Sequence, residues 1–239
     1  MRLITRRAWG AVLPTSVSRL SPSAIDTLYF HYTASDADEQ ADHQNCGRRV
    51  KGVQHYHMSP GGHDPSKPWS DIAYSFLPCK HGFVFEGRGW DARTAATGNE
   101  NGHSIAACFL GDDSRGRDDV TAEGRKALVD VARAAQARYG TLDFKGHRDA
   151  MSTSCPGDEI YGFVTSRGFR RLVQDDVDEA PELEYWTWLA WTLGEGEFRG
   201  QGRSNRAVRP ASVRRRIPAT WWARRLAYLR ARRRNNPDA

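Results

Sequence analysis

The spacing of apolar and polar residues divides the first two thirds of the chain into short strands that alternate irregularly with helices. Segments with the composition or apolar run length of strands are 27–32, 72–77, 83–86, 104–110 and 142–146. Segments with helical character are 41–58, 121–139 and 160–173. This alternation predicts an α/β fold in which a mixed central β-sheet is flanked by helices.

Local signals fix some of the helix ends. Thr121 is a good N-cap, and the helix after it carries a single apolar face. That face consists of Leu128, Val131, Ala132, Ala135 and Tyr139. The helix over 41–58 should end at the Ser-Pro-Gly-Gly stretch of 59–62.

The composition changes after residue 175. Residues 174–184 contain six acidic side chains and one proline, which predicts an acidic linker at 176–184 between a main domain, 1–175, and a C-terminal segment, 185–239. This last segment is rich in aromatic residues and arginine, and 220–230 has the pattern of a short basic amphipathic helix.

Charge is concentrated in the C-terminal segment. Residues 199–234 contain 13 Arg and no Asp or Glu, so the rest of the chain sums to −7 against +6 for the whole. Such a tail is suited to anionic wall polymers or to an anionic membrane surface. Nucleic acid and a solvated, inert tail are the alternatives. The interspersed aromatic residues favour an anchor on the wall or envelope, and nucleic acid is the less favoured partner.

The sequence shows no targeting or membrane-spanning pattern. The basic N-terminus has no apolar segment after it, and no apolar run approaches the length of a transmembrane helix. Of the four cysteines, Cys46 has no cysteine near it in sequence and Cys108 has the setting of a small core residue. We therefore expect synthesis in a reducing cytoplasm, and the sequence leaves the state of Cys46, Cys79 and Cys108 open.

Three side chains have the chemistry of a zinc site. His31 ends an apolar run, and His147 and Cys155 lie in one Gly-, Ser- and Asp-containing stretch. Two neutral imidazoles and a thiolate suit Zn²⁺, and three protein ligands leave a fourth position for water. The spacing alone does not group these residues, since two histidines and a buried cysteine are also ordinary core residues.

The flanking motifs carry the assignment. In chain order they are 4–11, 31–35, 53–58, 71–76, 85–90, 104–106, 146–149 and 155–158. This collinear series resembles the type-2 N-acetylmuramoyl-L-alanine amidases, the family that phage amidase endolysins share with peptidoglycan recognition proteins. The resemblance covers residues 1–175 and implies the mixed α/β fold of that family.

The resemblance implies a zinc amidohydrolase with one Zn²⁺ per chain, held by His31, His147 and Cys155. It would cut the amide between N-acetylmuramic acid and the L-alanine of the stem peptide. Tyr74 would face the metal, where its hydroxyl would orient the water or donate to the oxyanion of the tetrahedral intermediate. Thr153 occupies the place where some family members have a lysine, and its hydroxyl is a donor without a charge.

The same resemblance implies substrate contacts by Thr33, His57 and Asn101. A second zinc site built from His55, His57 and His63 is an alternative. However, residues i and i+2 of a helix point about 200° apart, which is poor for one ion. Arg148 and Asp149 would support the loop that presents His147.

Two functions are consistent with these motifs. The first is a peptidoglycan amidase, most simply a phage endolysin made in the host cytoplasm that reaches the wall through a separate pore and acts as a monomer. The second is a non-catalytic peptidoglycan-recognition module. Recognition-only members commonly lack the cysteine, so the presence of Cys155 favours the enzyme.

Overall fold

A computed structural model describes residues 1–35, 43–63, 66–112 and 120–178. The strands are β1 Arg2–Ile4, β2 Thr27–Tyr32, β3 Phe76–Pro78, β4 Phe83–Glu86, β5 Ser104–Phe109 and β6 Asp143–Gly146. The α-helices are α1 Arg6–Trp9, α2 His43–Met58, α3 Ala122–Tyr139, α4 Asp158–Val164 and α5 Arg167–Asp178. Short 3₁₀ helices occupy Pro22–Ala24, Gly98–Gly102 and His147–Asp149.

The strands form one mixed sheet in the order β1-β4-β3-β5-β2-β6. Only the β3–β4 pair is antiparallel, and the other neighbouring pairs run parallel. The predicted fold class, a mixed sheet with helices on its faces, is therefore confirmed.

Both faces of the neighbouring strands β2 and β5 are covered. In β2, Leu28 and Phe30 pack with α3, α4 and α5 in one apolar cluster, while His31 points to the opposite face. In β5, Cys108 belongs to a second cluster, on the face that is covered by α1 and α2. Burial on both faces explains why these strands are continuous apolar runs without polar alternation. It also places His31 on the α2 side of the sheet.

The capping prediction for α3 is confirmed. The Thr121 hydroxyl accepts a hydrogen bond from the N–H of Gly124 at 3.0 Å, which fixes the first turn. The predicted apolar face is buried except at Tyr139, which is partly buried.

The predicted strand over 72–77 is wrong in its first half, because regular pairing begins only at Phe76. The backbone of residues 72–74 bonds to side chains and loops, and the N–H of Ser75 is the first in this stretch to bond to a strand, donating to the carbonyl of Ala106 in β5. The N–H of Ala73 donates to Nδ1 of His57, and the carbonyl of Ile72 accepts from Nε of Arg88. Tyr74 therefore lies in an extended loop that leads into β3, and not within a strand.

The predicted closing helix over 160–173 is two helices. The hydroxyl of Ser166 donates to the carbonyl of Phe163 and accepts from the N–H of Phe169. Hydroxyls that bond to nearby backbone groups end one helix and begin the next. The second helix, α5, continues to Asp178 and so includes the first three residues of the segment predicted to be a linker.

The first ten residues contain elements that the periodicity did not predict. Strand β1 pairs with β4, and the four-residue helix α1 follows it with Thr5 as N-cap. Gly10 ends α1 in the left-handed conformation, at φ 71°. Both elements are shorter than the window over which periodicity can be detected.

The predicted C-terminal segment 185–239, with its basic helix and anchor, lies outside the described residues. Within the ranges that are described, no helix combines the length and the apolar character needed to cross a membrane.

Candidate metal centre

Three chain segments bring His31, His147 and Cys155 together. His31 lies near the carboxyl end of β2, and His147 directly follows β6, the parallel neighbour of β2. Parallel strands end at the same edge of a sheet, so the two imidazoles meet there, with ring centres 4.5 Å apart. Cys155 comes from the loop between the 3₁₀ helix at His147–Asp149 and α4.

The distances suit a single small ion. One ligand atom from each of the three residues lies within 4.8 Å of the others, and Sγ of Cys155 is 3.7 Å from Nδ1 of His31. Zn–N and Zn–S bonds of about 2.0 and 2.3 Å in a tetrahedral site put such atoms about 3.5 Å apart. The cluster is therefore close to ligand spacing without rearrangement.

The pKa shifts of His31 and His147 favour the neutral imidazole, which is the form that binds a metal ion. Burial, and next the neighbouring His147, lower the pKa of His31 well below its usual value. Burial also lowers the pKa of His147. Both rings are thus neutral at pH 7, as ligation requires. Within the described residues, Nε2 of His147 is buried and has no hydrogen-bond partner, an arrangement that a bound ligand would relieve.

Thr97 holds the His31 ring. Its hydroxyl is 3.1 Å from Nε2, on the other side of the ring from Nδ1 and Cys155. If Nδ1 keeps its lone pair for a metal, the proton lies on Nε2 and is donated to Thr97. This hydrogen bond fixes both the tautomer and the ring orientation.

Asn101 organises the loop that carries Thr97. Its side-chain oxygen accepts from the Thr94 hydroxyl and from the N–H groups of Ala96 and Thr97, and its Nδ2 donates to the carbonyl of Gly98. Both the oxygen and the nitrogen of the amide are engaged in this loop. The structure thus gives Asn101 a positioning role one step from His31, and the substrate contact stays a prediction.

We expect Asn101→Ala to lower the free energy of unfolding by about 2–4 kcal/mol, because it leaves several buried donors without an acceptor. Urea unfolding followed by circular dichroism measures this change. Asn99→Ala is the matched control, because Asn99 is exposed on the same 3₁₀ helix. Equal stability of the two variants would contradict the role given to Asn101.

Arg148 and Asp149 support the loops around the site, as predicted. A carboxylate oxygen of Asp149 accepts from the N–H of Gly146 at 2.8 Å, and the other accepts from the Tyr161 hydroxyl at 2.7 Å. The N–H of Arg148 donates to the carbonyl of Cys155 at 3.0 Å, and its guanidinium bonds to Asp158. These contacts tie the segment that carries His147 to the one that carries Cys155.

Tyr74 lies beside the cluster, with its ring centre 5.4 Å from that of His31. Burial, and then the sulfurs of Cys108 and Cys155, raise the pKa of Tyr74 well above its usual value. The phenol is therefore protonated at neutral pH and available as a hydrogen-bond donor.

The two predicted threonines lie on loops near the site. Thr153 is exposed, and its hydroxyl accepts from the N–H of Cys155 at 3.2 Å, which leaves its own proton free to be donated. The Thr33 hydroxyl donates to the carbonyl of Gly111 and accepts from its N–H, which joins the ends of β2 and β5. Their catalytic and substrate-binding roles stay predictions.

His57 is buried in an aromatic group at the end of α2, and is 6 % exposed. Its ring stacks on Trp69 with centres 4.9 Å apart, and Tyr74 lies 5.8 Å away. Because Nδ1 accepts from the N–H of Ala73, the proton of the neutral ring is on Nε2. Burial, followed by the charges of His63 and Arg88, lowers the pKa of His57 to about 4.

This lowered pKa predicts a loss of stability in acid. The unfolded chain protonates His57 near its ordinary value of 6.5, whereas the folded chain does so only near 4. The contribution of neutral His57 to the free energy of unfolding is therefore complete above pH 6.5. About 3 kcal/mol is lost in total as the pH falls toward 4. In His57→Asn, unfolding free energies measured from pH 7 to 4 should fall less steeply than in wild type. His55→Asn, an exposed change on the same helix, should keep the wild-type slope.

The sequence did not indicate two residues of the site. Thr97 lies in a Gly- and Asn-rich loop that carries no signal of a contact with His31. Cys108 was expected to be a plain core residue. It pairs with His31 across β2 and β5, and its sulfur is within hydrogen-bonding reach of the Tyr74 hydroxyl. Only the strand register, with the rule that paired residues share a face, could have indicated it.

The fold and the cluster together define a mixed α/β protein with a candidate zinc centre at one edge of its sheet. A family model described as N-acetylmuramoyl-L-alanine amidase matches residues 21–158. Peptidoglycan recognition protein 1 of Bos indicus is 32% identical over 165 residues, which cover 68% of this chain and 82% of the relative. The chain belongs to this amidase and peptidoglycan recognition protein family, as its motifs indicated.

Another relative and two solved structures extend the comparison. The N-acetylmuramoyl-L-alanine amidase of Homo sapiens is 29% identical over 163 residues, which cover 66% of this chain and 27% of the human protein. Drosophila PGRP-LB superposes with a TM-score of 0.61 at 23% identity, over 70% of this chain and 95% of that one. Human PGRP-IBETAC in complex with glycosamyl muramyl pentapeptide superposes with a TM-score of 0.60 at 21% sequence identity, over 69% of this chain and 95% of that one. These structures support the fold.

Proposed function

We propose that the protein is a zinc-dependent N-acetylmuramoyl-L-alanine amidase, which hydrolyses the amide between N-acetylmuramic acid and the L-alanine of peptidoglycan. The observation that carries the proposal is the His31, His147 and Cys155 cluster, with its ligand atoms within 4.8 Å of one another. Family membership supports this type of reaction. The cluster provides three ligands for the zinc ion that the reaction would use.

The three residues fit a catalytic zinc ion. Two neutral imidazoles and one thiolate would reduce the charge of Zn²⁺ from +2 to +1 and leave one position open. The chemistry that zinc supplies when bound is polarisation of an amide carbonyl and acidification of water. Thr97 holds one ligand in orientation, and Arg148 and Asp149 hold the segments of the other two.

The hydroxyls of Tyr74 and Thr153 would stabilise the negative charge that develops on the substrate oxygen. The Tyr74 phenol stays protonated and lies beside His31, so it can donate to the oxygen that becomes negative when the amide carbonyl is attacked. Thr153 offers a second, uncharged donor on the Cys155 loop. Because Thr153 is exposed, water competes with the substrate for the proton of its hydroxyl. We therefore assign Thr153 a smaller contribution to oxyanion stabilisation than Tyr74.

The choice of substrate rests on the relatives. A point mutant of Drosophila PGRP-LB is described in complex with tracheal cytotoxin, and human PGRP-IBETAC in complex with glycosamyl muramyl pentapeptide. Peptidoglycan is therefore the proposed partner of this chain. His57, which is buried and stacked on Trp69, would form a rigid part of the proposed substrate-binding surface.

A non-catalytic recognition module is the second candidate function, because recognition proteins are among the relatives of this chain. It would need a surface that binds peptidoglycan but not the metal ligands. In such a module nothing would require the three ligand atoms to converge. Their convergence therefore supports the amidase.

Incubation with purified peptidoglycan separates the two functions. An amidase releases new L-alanine amino groups without new reducing sugar ends, and a zinc chelator abolishes the release. A recognition module cosediments with the same material and releases nothing, chelator or not. Release of reducing ends would instead indicate a glycosidase and contradict both functions.

For the biological setting, the support is the resemblance of the motifs to those of phage amidase endolysins. We propose a phage endolysin that is made in the host cytoplasm, acts as a monomer and reaches the wall through a separate pore. The C-terminal segment 185–239 would bind anionic wall polymers or the membrane surface. Deleting this segment should leave hydrolysis of soluble fragments intact and weaken binding to whole walls.

A further inference from the structure

Two groups of metal-ligating side chains occur in the part of the chain that the structure describes. One is the candidate centre above, and the other consists of Cys46, Cys79 and His81. The two groups share no residue. We propose that this second group, the Cys46 cluster, is a separate binding site for a thiophilic metal ion such as Zn²⁺.

The geometry of the Cys46 cluster is close to that of a metal site. Nδ1 of His81 is 3.4 Å from Sγ of Cys46 and 4.0 Å from Sγ of Cys79, and all three atoms lie within 4.8 Å of one another. Nitrogen and sulfur ligands of a tetrahedral zinc ion are about 3.5 Å apart. The two observed distances lie on either side of this value.

The chain presents these ligands on well-fixed elements. Cys46 lies in the first turns of α2, and Cys79 directly follows β3. His81 lies in the tight turn to β4, where Gly82 has φ +80°. The N–H of Cys79 bonds to the carbonyl of Phe83, and the N–H of Gly82 to that of Cys79. This turn directs His81 back toward the two sulfurs.

Core packing explains the two cysteines but not the histidine. Cys46 and Cys79 belong to an apolar cluster and are fully buried, as small hydrophobic residues often are. His81 is half-buried and directs a ring nitrogen, not a carbon edge, at both sulfurs. Two thiolates and an imidazole are a soft ligand set, which selects Zn²⁺ or Cu⁺ over Mg²⁺ or Ca²⁺. A solvent molecule can complete the coordination at the half-buried side.

A bound ion would join α2 to the β3–β4 turn. Helix α2 also carries His57, and Tyr74 lies in the loop that leads into β3. The ion would therefore stabilise the α2 face of the domain without touching substrate. Its loss should lower the thermal midpoint and leave the candidate catalytic ligands in place.

Metal content of the reduced, full-length chain tests the proposal. After loading with Zn²⁺ and gel filtration, mass spectrometry of the metal should find two zinc ions per chain in wild type. One should remain in Cys155→Ser and one in the double variant Cys46→Ala and Cys79→Ala. One ion in wild type and none in Cys155→Ser would overturn the proposal.

Cobalt provides a readout that needs no change in the Cys46 cluster. In the Cys155→Ser chain, Co²⁺ should produce thiolate-to-cobalt charge-transfer absorption, because two cysteine ligands remain. His81→Asn in the same background should weaken this band, and His55→Asn should not. Absence of the band in folded Cys155→Ser would contradict the proposal. So would a Cys46–Cys79 disulfide that forms in zinc-loaded protein when the reductant is removed, because bound thiolates resist oxidation.

Discussion

Cys155→Ser should abolish zinc-dependent hydrolysis of peptidoglycan while the domain stays folded. A serine hydroxyl is not ionised at neutral pH and cannot replace the thiolate that faces Nδ1 of His31. Changes in groups that only support metal ligands cost about 10–100-fold in metal affinity or activity. Loss of a ligand should therefore cost more than about 100-fold in both.

Activity on soluble peptidoglycan fragments and zinc bound at the candidate centre are the two measurements. Ser152→Ala is the matched control, because Ser152 is exposed in the same loop and contributes no ligand. Circular dichroism and urea unfolding check that both variants are folded. Wild-type turnover in folded Cys155→Ser would refute the assignment of the metal centre.

Tyr74→Phe should lower kcat by about 100- to 1,000-fold while zinc binding stays unchanged, because it removes one donor to the developing oxyanion. The raised pKa of Tyr74 keeps the donor proton in place across neutral pH. The ring itself is retained, so its packing beside His31 and His57 should persist.

Steady-state kinetics with a soluble muramyl peptide separate the effect on kcat from that on KM. Tyr56→Phe is the control, because Tyr56 is 51% exposed on α2 and has no part in the proposed chemistry. An unchanged kcat in Tyr74→Phe would show that the oxyanion is stabilised without this hydroxyl. A change confined to KM would make Tyr74 a substrate-binding residue.

The apolar pattern predicted β2, β5 and α3 because their side chains are buried on long, regular faces. Strand β2 was predicted with the bounds that the structure shows, and Thr121 capped α3 as expected. The pattern failed where side chains replace strand or helix hydrogen bonds. His57 and Arg88 bond to the backbone before β3, and Ser166 divides the closing helix. Such contacts cross the fold or depend on one hydroxyl, so periodicity does not reveal them.

The residues of the candidate site were predictable only through their motifs. His31 and Cys155 are 124 positions apart, and it is the parallel pairing of β2 with β6 that brings His147 to His31. The Thr97 contact depends on a loop held by Asn101. The Cys46 cluster was missed for a related reason. Cys46 has no cysteine near it in sequence, and its neighbours come from a turn 33 residues further along the chain.

The most direct test of the amidase assignment is mass spectrometry of a defined muramyl peptide after incubation with zinc-loaded protein. An amidase should yield two products, a muramic acid with a free lactyl carboxylate and a peptide with a free L-alanine amino terminus. Chelation should prevent their formation, and added Zn²⁺ should restore it. Recovery of the intact fragment, bound to protein that holds zinc at His31, His147 and Cys155, would contradict the amidase assignment and identify a recognition module.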